Sequence, residues 1–80
     1  MPVVLRTKGY KFYFFSDEGD EPIHIHVNKA DADAKIWLEP KIKTAYFYGF
    51  NPGEIKQVKN IVTANIDLFK TAWNEYFKGK

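Results

Sequence analysis

The hydrophobic period of this chain changes once, and that change limits its fold more than any other feature. From Val3 to Glu39 apolar side chains recur at every second position; from Asn51 onward they recur every three or four. A period of two sends successive side chains to opposite faces of a strand, whereas a period of 3.6 gathers them on one side of a helix. Strands followed by a helix imply an α+β domain in which the helix covers one face of an antiparallel sheet. With 80 residues the chain is long enough for a single domain, 1–80, and no more.

The turn chemistry divides the first half into elements. Val3-Val4-Leu5-Arg6 reads as a strand, and Thr7-Lys8-Gly9 as a tight turn in which Gly supplies a positive φ. Tyr10 to Ser16 is a second strand, and the polar run from Ser16 to Pro22 a loop. Ile23 to Val27 alternates strictly, Asn28 to Asp33 is a polar turn, and Ala34 to Glu39 is a fourth strand stopped by Pro40. Lys41 to Tyr48 is either a fifth, weaker strand or an extended connection. The expectation is an antiparallel four- or five-stranded meander.

Alternation also sorts the faces. Val3, Leu5, Phe12, Phe14, Ile23, Ile25, Val27, Ala34, Ile36 and Leu38 make a uniformly apolar side that needs cover. The other side carries Arg6, Lys11, Tyr13, Phe15, His24, His26, Lys35, Trp37 and Glu39.

In the second half Ile55, Val58, Val62, Ile66, Phe69, Trp73 and Tyr76 form an amphipathic stripe. Asn51 suits the N-cap, Pro52 the first helical position, and Glu54 a capping box; Gly79 suits the stop, with Lys78 and Lys80 favourable to the dipole. A helix from Pro52 to Phe77 would be about 39 Å long at ~1.5 Å per residue, wider than the sheet it covers. Either it breaks near Thr63-Ala64-Asn65, or its far end overhangs.

Composition excludes several classes. There is no Cys, so no disulfide framework and no thiolate chemistry. No basic start is followed by an apolar stretch of signal-peptide length, and no run approaches a membrane span, so a cytoplasmic protein without membrane contact is expected. The net charge of +2 does not by itself argue for nucleic acid.

Several segments together resemble one small prokaryotic family: Val4-Leu5-Arg6, Gly9-Tyr10-Lys11-Phe12, Glu21-Pro22-Ile23-His24-Ile25-His26-Val27, Ala34-Lys35-Ile36-Trp37-Leu38-Glu39-Pro40, and a helix with a late Trp73. The family is catalogued as domain of unknown function number four-one-six-zero. The resemblance implies a stand-alone protein of this size, encoded beside a second small protein and proposed as the toxin side of a type II toxin–antitoxin pair. A cognate antitoxin is thus an implied partner.

The concentrated polar signal is His24 and His26, two apart on one strand with both rings leaving the same face. Three uses fit. As acid and base they would bracket a phosphate in RNA cleavage, with Lys35, Lys11 or Arg6 neutralising charge and Trp37, Tyr13 or Phe15 stacking an unpaired base. That reading makes His24, His26 and Lys35 catalytic and Arg6, Lys11, Tyr13 and Trp37 substrate-binding, with no metal and no cofactor. As metal ligands they would need Asp20, Glu21 or Glu39 to complete a shell. In the third use they half-bury on the outer face and bond to neighbours. The acidic loop, Asp17-Glu18-Gly19-Asp20-Glu21, lacks calcium-loop spacing and reads as a solvated turn. Two functions compete: an RNA-directed toxin working through the two histidines, and a non-catalytic protein-interaction or dimerisation module. The extra apolar surface favours a homodimer or a tight complex with a small partner.

Overall fold

In the computed structural model, which describes residues 2–78, five strands are followed by two helices. The strands are β1 (Val3–Thr7), β2 (Tyr10–Tyr13), β3 (His24–Lys29), β4 (Ala32–Trp37) and β5 (Lys43–Tyr48). They form one sheet in sequence order, each antiparallel to the next. The α+β meander expected from the alternation is therefore present, and Lys41 to Tyr48 contributes a true fifth strand.

The hairpins show what the local chemistry requires. Thr7 pairs with Tyr10, leaving Lys8 (φ 53°) and Gly9 (φ 85°) as a two-residue turn with both residues left-handed. Such a turn matches the twist of the strands it joins. Lys29 pairs with Ala32, so β3 and β4 run through the region expected as a longer polar turn, and only Ala30 and Asp31 link them. Asn28 Nδ2 donates to the Ala32 carbonyl at 3.1 Å, which converts a residue expected in the turn into a brace across it.

Both edge strands are irregular. The β1–β2 register shifts between Val3 and Leu5, and the β4–β5 register between Lys35 and Ile36. The first shift corrects the parity assignment of Val3, which is 40% exposed rather than in the core. Bulges on edges hinder pairing with another chain.

The helical half is two helices, α1 (Pro52–Ala64) and α2 (Ile66–Lys78), with the break at the expected Thr63-Ala64-Asn65. Asn65 leaves helical geometry (φ −117°, ψ 21°), and its Nδ2 and backbone N–H both donate to the Ile61 carbonyl, at 2.8 and 3.0 Å. At the front of α1, Asn51 Oδ1 accepts from the Glu54 N–H at 2.8 Å and Glu54 Oε1 accepts from the Asn51 N–H at 3.0 Å, completing the capping box. Gly79 and Lys80, assigned to the helix stop, lie outside the described residues.

The helices cover the apolar side. Phe12 stacks on Phe69 at 5.4 Å and Phe14 meets Trp73 at 5.2 Å, while Ile25, Val27, Ala34, Ile36 and Leu38 are buried with Val58 and Val62. Each buried Val, Leu, Ile or Phe side chain contributes about 1.5–3 kcal/mol by leaving water. No helix among the described residues is long and apolar enough to cross a membrane.

Candidate functional site

The alternation that buries Ile25 and Val27 against the helices sends His24 and His26 to the other side of β3. There the register places Tyr13 and Lys35 beside His26, and Trp37 beside His24. Of the three uses, the one without chemistry expected the rings half-buried on this side. Instead His24 is 1% and His26 5% exposed.

Aromatic rings and a loop account for the burial. His26 stacks on Tyr13 at 5.4 Å and takes the edge of Phe15 at 4.8 Å. His24 is boxed by Trp37 at 5.2 Å, by Trp73 of α2 at 5.0 Å and by His26 at 5.1 Å. The two imidazoles are not near-parallel; their planes cross at 82°.

β2, expected to run to Ser16, ends at Tyr13, and the chain from Phe14 to Ile23 folds back over the histidines. Short turns hold it, with the Glu18 N–H donating to Phe15 O at 3.3 Å and the Glu21 N–H to Glu18 O at 3.1 Å. Gly19 lies so close to α2 that a Cβ there would sit 2.6 Å from a Phe77 ring carbon. This packing aims Glu18 inward.

Glu18 is the residue that the sequence reading left in a solvated turn. Its Oε1 lies 2.9 Å from His24 Nε2 and 3.1 Å from His26 Nε2, its Oε2 lies 3.2 Å from His26 Nε2, and Oε1 also accepts from the Phe15 N–H at 3.1 Å. The other nitrogen of His24, Nδ1, lies 2.9 Å from the Pro22 carbonyl. A carbonyl only accepts, so Nδ1 carries a proton. Nε2 has no hydrogen-bond partner, although Glu18 Oε1 is at hydrogen-bond distance.

Burial alone would raise the Glu18 carboxyl. The His24 ring, the Phe15 N–H and His26 outweigh it and hold the group below the usual carboxylate range. Burial acts the other way on His26 and, against the pull of Glu18, keeps it below the ordinary imidazole value. A shell of Glu18, His24 and His26, with donor atoms within 4.8 Å of one another, is the one group in the described residues that could hold a metal ion.

The other expected site residues are scattered. Lys35 Nζ donates to Glu21 at 3.1 Å and lies 4.3 Å over the Trp37 ring. Lys11 lies 5.2 Å over Tyr13, whose hydroxyl donates to Asp33 at 3.3 Å. Burial and then Asp33 push the Tyr13 phenol up to about 12. Arg6 stands opposite Lys11 on the exposed β1 edge, away from the histidines. Of the acids expected to complete a metal shell, Asp20 is exposed and outside the cluster, Glu21 is spent on Lys35, and Glu39 pairs with Lys70 at 2.8 Å.

Trp37 does more than box His24. With Pro22, Glu39, Pro40, Lys41 and Lys43 it lines a cleft of about 320 Å³ beside the histidine cluster. Lys41 and Lys43 escaped the sequence reading because they fall in a stretch of uncertain type; a double lysine flanking a strand start was the available signal.

Residues 9–74 match the model of a family described as a domain of unknown function, DUF4160. No curated protein and no solved structure matches the chain.

Proposed function

Since the chain belongs to the DUF4160 family, whose description assigns no activity, its function has to come from geometry, and we propose that it is a binding module that holds RNA without cutting it through the two histidines. The observation that carries this reading is the cleft: an indole wall, Trp37, flanked by Lys41 and Lys43, on the side of the sheet opposite the Ile25 and Ile36 core. An unpaired base stacks on an aromatic face regardless of its identity, while nearby ammonium groups meet its phosphates. Glu39, the one acid in the lining, has its charge met by Lys70. Lys35 lies over Trp37, and the Tyr46 and Tyr48 rings, 5.3 Å apart, continue the aromatic surface along β5.

The buried histidines support binding over catalysis. A general acid and base need to reach the reacting phosphate. Here the side chains are 0% and 6% exposed and both Nε2 atoms converge on Glu18 rather than on a common external point. The toxin role that the family resemblance implies then becomes sequestration of RNA, with an antitoxin competing for the same face.

The experiment is a titration of Trp37 fluorescence with single-stranded RNA, in a Trp73→Phe background so that one indole reports. Quenching should saturate and weaken as salt rises. Trp37→Ala should lower affinity by ~10-fold or more and Lys41→Ala/Lys43→Ala should flatten the salt dependence. No quenching, or quenching that is indifferent to both lysines, rejects RNA as the ligand of this cleft.

A further inference from the structure

We propose that Glu18, His24 and His26 form a binding site for a divalent first-row transition-metal ion of the zinc class, independent of RNA binding. The three side chains come from two places, the folded-back loop and β3, and bring one carboxylate oxygen and two imidazole nitrogens within 4.8 Å of one another. Two nitrogens and an oxygen are a donor set that such ions accept.

Metal–nitrogen and metal–oxygen bonds of about 2.0–2.2 Å in tetrahedral geometry put two ligand atoms about 3.3–3.6 Å apart. The contacts of Glu18 Oε1 with His24 Nε2 and His26 Nε2, 2.9 and 3.1 Å, are shorter than that by a few tenths of an ångström, so uptake of an ion draws the carboxylate slightly away from the rings. His26 Nε2 hydrogen-bonds both Glu18 oxygens, whereas His24 Nε2 lies at hydrogen-bond distance from Oε1 yet has no hydrogen-bond partner.

The surroundings also fit. His24 Nδ1–H donates to the Pro22 carbonyl at 2.9 Å, which fixes the tautomer and leaves Nε2 to ligate, the usual outer support of a metal-binding histidine. His24 Nε2, buried 2.9 Å from Glu18 Oε1 and without a hydrogen-bond partner, is the atom a divalent ion would engage. The ion would tie the Phe14–Ile23 segment, through Glu18, to β3.

The test uses the full chain, stripped with chelator and titrated separately with zinc and cobalt(II) chloride. One equivalent should bind, the melting temperature should rise by on the order of 10 °C at saturating zinc, and cobalt should give visible ligand-field bands. Glu18→Gln, nearly unchanged in size, should weaken binding on the order of 100-fold or more, while Asp31→Asn should leave it intact. A folded wild-type chain that takes up neither ion saturably overturns the proposal, and this outcome needs no variant to fold. Equal affinity in wild type and Glu18→Gln overturns it as well.

Discussion

His24 fills a box of rings formed by Trp37, Trp73 and His26, with its Nδ1–H on the Pro22 carbonyl. His24→Ala should therefore destabilise measurably in urea, since it leaves a cavity there and an unpaired carbonyl. The side of the strand that His24 takes follows from parity and was legible. Its burial was not, because the groups that bury it are Trp73, 49 positions away, and a loop whose acids look solvated in sequence. Glu18 carries no periodic signal at all; the packing of Gly19 under Phe77 turns it inward. Ile25→Ala, one position on from His24 and fully buried, should cost about 2–5 kcal/mol. Gly19→Ala should destabilise by about 1–3 kcal/mol, because the Phe77 ring has to move. An unperturbed urea midpoint for Gly19→Ala would show that the loop does not sit against α2.

At the scale of elements, the strands and the helix start were readable because their signals are local. Turn residues, capping residues and period lie within a few positions of each other. The ends of β2, β3 and β4 were not, since a strand stops where pairing stops, and pairing is decided by the partner. The capping box gives this scale its own prediction. Hydrogen bonding to the Asn51 N–H, then Lys29 at 3.1 Å, holds the Glu54 carboxyl below its ordinary range. A folded-state value below the unfolded one means the contribution is present above the unfolded value and is lost as pH falls through the folded one. Wild type should therefore exceed Glu54→Gln in denaturant midpoint at about pH 6, and the gap should close toward about pH 3. A gap independent of pH would mean the carboxylate charge plays no part in fastening α1 to β3.

In the whole molecule the two sides of one sheet carry different groups. One side packs its apolar residues against the helices and supplies stability. The other, the outer side, holds the histidine–glutamate cluster and, next to it, an indole cleft with two lysines. The homodimer expected from the sequence would have to use this outer side or the outer helix surface near Leu68, because both sheet edges are bulged. Light scattering on Tyr48→Lys separates these routes: loss of a dimer places its interface on the outer side of the sheet. The claim that matters most is that this side binds RNA and that the histidines do not cut it. Its most direct measurement is incubation of end-labelled single-stranded RNA with the purified wild-type chain, run in parallel on native and denaturing gels. A shifted band is expected on the native gel, absent for Trp37→Ala, with full-length RNA on the denaturing gel. Cleavage products that vanish when His26 is replaced by Ala would contradict it and restore the two histidines as acid and base.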